Sequence, residues 1–229
     1  MTHSLNTRLL TAAEFVTRGG IACDVGTDHA YLAAYLADNG ISEKVIACDI
    51  ALGPIESAKA TVSRMGLEDR ITVIQSDGLD LIPDEGITDV IICGMGGELI
   101  LSILLRADWL KRGVNLVLQP MTRASELREG LYENGFVIKS EKACRDGKFV
   151  YSVINAEYRG ETRKLTPLQA LIGGLDMTKP ESLEYASAVC ERLSASSLGK
   201  ISSNDEATRE DGERELDLVH ELMEIINEV

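Results

Sequence analysis

The chain predicts an α/β fold: a mostly parallel sheet with crossover helices, an antiparallel hairpin closing the sheet, and a helical hairpin behind it. Three observations carry this. Up to about residue 160, short β-rich apolar runs alternate with helical periods. The tetrapeptide Ile-Ala-Cys-Asp occurs twice, at 21–24 and 46–49, and each copy reads as a strand covered on both faces that ends on an acid. The copies diverge outside these four residues, so they do not make a repeat protein. After residue 160 the apolar residues recur at steps of three and four instead, which divides the chain into 1–160 and 161–229.

Each element follows in order. A first helix over about 5–17 leads through Gly19-Gly20 into a strand at 21–24. A helix begins near His29 and is followed by a strand at 44–49. Gly53-Pro54 opens the next helix, where proline suits the first turn, and a strand at 70–75 comes after it. Strands at 89–93 and 114–118 are each followed by a helical segment. Residues 135–158 read as two strands joined at Asp146-Gly147, and a direct hairpin makes them antiparallel. Leu183, Ala186, Cys190 and Leu193, then Leu216, Val219, Met223 and Ile226, predict two helices that close on each other across a loop at 199–205. The stripes are too short for a long coiled coil, so a helical hairpin is expected.

Composition narrows the function. At 229 residues, with 45% hydrophobic and 4% aromatic content, the chain can bury one full core and carry an appendage. Its start lacks the pattern of a signal peptide and no stretch is long enough to span a membrane, so a cytoplasmic protein without a membrane partner is expected. Five cysteines with no CxxC spacing fit a reducing compartment, and Cys23, Cys48 and Cys93 fall inside strand runs as small buried hydrophobes. The three histidines form no cluster that suggests a metal, and His3 and His220 are expected to be solvated. A net charge of −14 argues against a protein that coats nucleic acid, DNA included. The charge is uneven: nine Lys or Arg face six acids between residues 106 and 148, against two bases and ten acids from residue 205 onward. An anionic partner should meet the middle of the chain, which is expected to act as a monomer.

Both Ile-Ala-Cys-Asp acids are predicted at carboxyl ends of strands, where open α/β sheets bind ligands. The first loop, Gly26-Thr27-Asp28-His29, lacks the G-x-G-x-x-G of a dinucleotide site. Asp24 with Gly26, then Asp49 with Ile50, then Asp77-Gly78 at successive strand ends form instead the layout of a class I, Rossmann-like user of S-adenosylmethionine. Asp49 is the natural acceptor for ribose hydroxyls. Helix capping by either acid, and an ordinary turn at Asp77-Gly78, are the alternatives.

The blocks DVGTDHAYLAAYL, ACDIALGPIESAKATV, SDGLDLI, IICGMGGELILSIL, LVLQPMTRASELREGLYENGF and GKFVYSVI are similar to the bacterial TrmK family, tRNA methyltransferases that modify N1 of adenine 22. The resemblance runs to about residue 156 and implies a C-terminal coiled-coil pair of helices. It places Asp24, Gly26, Asp28 and His29 in the first block and Gly94-Met95-Gly96-Gly97 in the fourth. It also leads to an expectation of proline after His-Ala-Tyr-Leu, where this chain has Ala33. S-adenosyl-L-methionine and tRNA are the implied cofactor and substrate, with Gly94 on the cofactor side and Gly96, Gly97 and Gln119 on the substrate side.

The residues suit that chemistry. Methyltransferases acting on exocyclic amines often carry Asn or Asp before Pro-Pro at the fourth strand; here glycines allow close backbone approach and Met95 offers an apolar contact to a base. Adenine N1 has a free lone pair, so alignment and desolvation dominate, and Asp28 is the candidate carboxylate for the amine as charge builds on the base. His29 is expected to contact the cofactor or cap its helix. Arg106, Lys111, Arg112, Arg123 and Arg128, with Arg8 and Arg18, are the candidate phosphate contacts. A methyltransferase acting on a small molecule or protein, and a nucleotide-binding module without turnover, are the competing functions.

Overall fold

The computed structural model describes residues 5–228, so the expectation for His3 lies outside it. Strands β1 (Gly20–Val25), β2 (Ser42–Asp49), β3 (Ile71–Gln75), β4 (Ile87–Gly96), β5 (Asn115–Thr122), β6 (Phe136–Asp146) and β7 (Phe149–Tyr158) form one sheet in the order β3-β2-β1-β4-β5-β7-β6. The first five run parallel, and β7 is antiparallel to both β5 and β6. Helices α1 (Thr7–Ala13), α2 (Tyr31–Asp38), α3 (Leu52–Met65), α4 (Gly97–Arg106) and α5 (Ala124–Glu133) cover the two faces. Strand order reverses between β1 and β4, which opens a crevice at their carboxyl edge.

The repeated tetrapeptide sorts its side chains by alternation. Ala22 and Ala47 face one layer while Cys23 and Cys48 face the other. On the alanine side the helices meet the sheet through more alanines: Ala12, Ala30, Ala33 and Ala37 are fully buried and Ala34 almost so. The opposite layer is filled by Ile and Leu from β4, β5, α4 and α5. Among the described residues, no helix is long and apolar enough to cross a membrane.

Several boundaries differ from the sequence reading. Helix α1 is capped by Asn6, whose side chain accepts from Leu9 N, but it ends at Ala13 rather than near 17 because the Thr17 amide is drawn to buried Asp89 (2.9 Å). Strands β4 and β5 continue through Gly96 and Thr122, since the pairs Met95 with Pro120 and Gly96 with Thr122 extend the ladder past the apolar runs. The hairpin loop is Gly147-Lys148, with Gly147 at φ 60, the position a type II′ turn gives to glycine.

Helices α6 (Pro167–Ile172), α7 (Pro180–Ile201) and α8 (Glu206–Asn227) follow the sheet. Helix α7 runs through Gly199, and the chain turns only at 202–205, where Asp205 caps α8 by accepting from Thr208 N. The α8 stripe is also shifted: Leu222 is buried and Met223 is 48% exposed, because Gly212 sets the crossing. A Cβ there would stand 2.9 Å from Ile201 N, and Ser197 Oγ donates to its carbonyl at 2.8 Å.

A buried ion pair fastens this tail to the sheet. Arg128 of α5 donates from Nη2 to Glu141 Oε2 at 2.8 Å, and both side chains are fully buried. Its Nη1 donates to the carbonyls of Ala170 (2.8 Å) and Leu171 (3.0 Å) at the end of α6, and Nη2 also reaches Ser152 Oγ and Tyr185 of α7.

Candidate active site

Five chain segments meet at the carboxyl edge of the sheet: 24–30 after β1, 49–52 after β2, 76–80 after β3, the end of β4 and the end of β5. Asp24 is buried at the end of β1, and its Oδ2 accepts from Thr27 Oγ1 at 2.6 Å. Burial pushes its pKa up to about 6, against the hydrogen bond from Thr27 and one from the Ala33 amide, while the Asp49 charge raises it further. The alanine at 33 therefore does more than set helix geometry, because proline would have no amide to donate to Asp24. Asp24 shapes the loop from beneath. Asp49 is partly exposed, with Oδ1 accepting from Ala51 N at 3.0 Å, and Ile50 and Leu52 beside it are 62% and 63% exposed.

The loop after β1 is strained. Asp28 (φ 49) and Ala30 (φ 56) both adopt the left-handed region, at a cost of roughly 1–2 kcal/mol for a non-glycine residue such as Ala30. The turn leaves the Asp28 side chain 70% exposed, 3.6 Å from His29 Nε2, and His29 stacks on Tyr31. Gly26 holds the left-handed φ of 75, and a Cβ there would push aside the Met95 Cε that lies against it. The first loop and the end of β4 thus touch through a thioether and bare backbone.

Gly94 (φ 85) donates its amide to Gln119 Oε1 at 3.1 Å. The same oxygen accepts from Arg8 Nη1 at 2.6 Å, while Gln119 Nε2 donates to Pro120 O. Gln119 is fully buried and internally satisfied, so it is not a substrate contact but a brace that holds Gly94 and draws α1 to the site. Gly97 is also structural: a Cβ there would overlap the Arg123 carbonyl. Gly96 remains at the edge as the N-cap of α4.

The arginines scatter. Arg128 is the internal latch described above and cannot meet RNA. Arg112 and Lys111 precede β5, at the opposite edge of the sheet, where Arg112 pairs with Asp84 at 2.7 Å and Lys111 with Asp108 at 2.6 Å. Arg18 precedes β1 and sits at that same edge. Arg106 is committed to Asp77 (2.9 Å) and Asp80 (3.3 Å), bracing the loop that carries Gly78 rather than presenting itself to a phosphate. Arg8 lies within 3.3 Å of a Cβ built on Gly94, and Arg123, 56% exposed, pairs with Glu98 at the mouth of the crevice. These two are the candidates that reach the site.

The internal position of Arg128 had a sequence signal: it falls in one helical stripe with Leu127 and Leu131. Arg8 had none, because its partner Gln119 is 111 residues away. Among the described residues no cluster of His, Cys, Asp or Glu could hold a metal.

Residues 5–154 match the family described as a methyltransferase domain. The tRNA (adenine(22)-N(1))-methyltransferase of Bacillus subtilis is 38% identical over 154 residues, which are 67% of this chain and 65% of that protein, just under two thirds of its length. The crystal structure of the B. subtilis m1A22 tRNA methyltransferase TrmK superposes with a TM-score of 0.85 at 28% identity, covering 97% of this chain and 99% of that one. A putative tRNA (m1A22) methyltransferase of Streptococcus pneumoniae, in complex with S-adenosyl-L-methionine, superposes at 0.81 with 29% identity over 96% of this chain and 98% of that one.

Proposed function

Since the chain belongs to the TrmK family of S-adenosylmethionine-dependent methyltransferases, we propose that it transfers a methyl group to N1 of adenine 22 in tRNA. The observation that carries this reading is the end of β4: Gly94, Met95 and Gly96 present backbone and a thioether beside three acid-bearing loops, and the one carboxylate of the strand, Asp89, lies near its opposite end, bonded to Thr17 N, so no side-chain amide or carboxylate stands at this end to accept an exocyclic amine. Such a surface suits a ring nitrogen as nucleophile.

The residues present fit the cofactor. Gly26 leaves the bare approach that a Cβ would fill. Asp49 keeps an acceptor for ribose hydroxyls, Ile50 offers exposed apolar surface to a base, and Asp77, held by Arg106, stands by the adenine end with Gly78. Asp24 fixes the loop carrying Asp28 and His29. The cofactor supplies an electrophilic methyl group on a sulfonium. The chain aligns the base against it: Met95 covers the ring face, and Asp28 accepts the hydrogen of the exocyclic amine as positive charge develops, an interaction stronger in the transition state than before it. The lone pair of N1 is free at neutral pH, so no general base is needed.

Residues 1–160 form the catalytic domain and 161–229 a helical tail that the Arg128 latch holds against it. We read the chain as a monomer acting on tRNA in the cytoplasm rather than on DNA, the net charge of −14 being unsuited to coating a duplex. The test is methyl transfer from labelled S-adenosylmethionine to an unmodified tRNA transcript, with nucleoside analysis of the product. Label at N1 of adenine 22, lost when that adenine is replaced by guanine, is the expected result; label on N6, or none, sinks the reading.

A further inference from the structure

One cleft outside the methyl-transfer site, of about 1090 Å³, lies between the end of β5, the β6–β7 hairpin and α7. Its charge runs against that of the molecule. In a chain of net charge −14, four cations (Arg123, Arg145, Lys148 and Arg192) line it against Glu184 and Glu191. Arg145 is neutralised by Glu184 at 2.9 Å and Arg123 by Glu98, whereas Lys148 and Arg192 make no ion pair among the described residues. At the hairpin tip Phe149 is 55% exposed, with Lys148 Nζ 5.1 Å from its ring centroid. Its neighbour Val150, not Phe149, packs against the tail core. With Lys148 over one face, the other face of the exposed ring is left for a base, and a cation without a carboxylate partner, Arg192, is left for a phosphate, the combination that binds a nucleotide.

The position gives this a use. Thr122 lines the cleft and pairs with Gly96, so the near wall of the cleft is one strand, about 4.8 Å, from the end of β4; Phe149 opens β7, the next strand over, about 10 Å from β4 across the sheet, which an extended neighbouring nucleotide can span. An adenine whose N1 is to react must leave its stack, which uncovers the face of its neighbour. We propose that the cleft is a second nucleotide subsite, in which the base adjacent to the extracted adenine stacks on Phe149 while Arg192 holds the phosphate joining the two. The subsite rests on the tRNA reaction assigned above.

Two tRNA transcripts, with 2-aminopurine on the 5′ or the 3′ side of adenine 22, test it on the full chain. Binding to the wild type should change the fluorescence of one of them. Phe149→Ala should abolish that change and raise the KM for tRNA about tenfold, on the scale of one lost base stack. Phe149→Trp should retain both, and cofactor affinity should stay unchanged in each variant. Arg192→Gln should weaken tRNA binding and lower its salt dependence by about one unit of slope. If the wild type methylates tRNA and Phe149→Ala and Arg192→Gln do so with unchanged KM, the subsite alone is overturned. If the wild type transfers no methyl group to tRNA, the reaction itself falls and takes the subsite with it. A collapse in melting temperature for Phe149→Ala would make Phe149 a packing residue and overturn its role as a platform.

Discussion

Replacing Arg128 by methionine tests whether a residue that reads from sequence as an RNA contact is an internal latch. The guanidinium bonds Glu141 through Nε (3.0 Å) and Nη2 (2.8 Å), two carbonyls of α6 through Nη1, and Ser152 and Tyr185 through Nη2. All five N–H groups of an arginine are thereby engaged. Methionine fills part of the volume but leaves the Glu141 carboxylate buried and facing no cation, a defect that costs about 3 to 5 kcal/mol. The loose carbonyls of Ala170 and Leu171 add to this, although such contributions are not additive within one network. For a chain of this size each kcal/mol shifts Tm by about 2 to 4 °C, so a loss of roughly 10 °C is expected in a thermal melt. The double variant Arg128→Met with Glu141→Leu removes both charges and should recover a good part of the loss, giving a coupling energy that a surface contact would not have. The salt dependence of tRNA binding should keep its slope, since no phosphate contact is removed. A variant that melts like the wild type yet binds tRNA with a shallower salt slope would refute the reasoning.

Gly26→Ala should weaken cofactor binding at least tenfold in calorimetry, because the left-handed φ of 75 costs roughly 1 to 2 kcal/mol and the new Cβ displaces Met95. Adding Met95→Ala should relieve only the overlap; full recovery would mean the backbone term is negligible. Asp28→Asn keeps a residue type that tolerates φ 49 and should lower the single-turnover rate on the order of a hundredfold with cofactor and tRNA affinities nearly intact. A normal saturated rate would leave positioning by Met95 and the glycine backbone as the source of catalysis. Asp24 gives a pH signature: its folded pKa of about 6 lies above the ordinary 3.8, so the stability it contributes is present at low pH and is lost as pH rises through 6, by about 3 kcal/mol in all. A cationic cofactor favours the ionised form, so its affinity should fall as pH drops below 6, by at most about tenfold per pH unit. Calorimetry with flat affinity from about pH 5 to 7 would detach Asp24 from the site.

The strands were legible because a strand covered on both faces must be apolar along its length, and the acids at 24 and 49 stand out at the ends of such runs. The end of β4 was legible only as glycines. That they continue the ladder depends on β5 pairing, which no local pattern carries. Spacing showed two tail helices but put Met223 where Leu222 packs, since the crossing is set by the close approach at Gly212 and not by hydrophobicity. Charge counting was only partly informative. It gathered nine cations between 106 and 148, yet strand β5 runs the depth of the sheet between Arg112 and Arg123 and sets them at opposite edges, so the segment does not present its cations on one face.

The alanine seam beneath β1 and β2 has a thermal consequence. Alanine has no side-chain torsion to excite, so Ala22, Ala33, Ala34, Ala37 and Ala47 leave little to rearrange where sheet and helices touch, with Leu36 and Ile91 among the few larger side chains in the same layer that are fully buried. The opposite layer, filled by isoleucine and leucine, keeps rotamers that can exchange. Heat therefore loosens the two faces of the sheet unequally: the alanine contacts under the first loop hold their shape while the layer next to α4 and α5 begins to breathe.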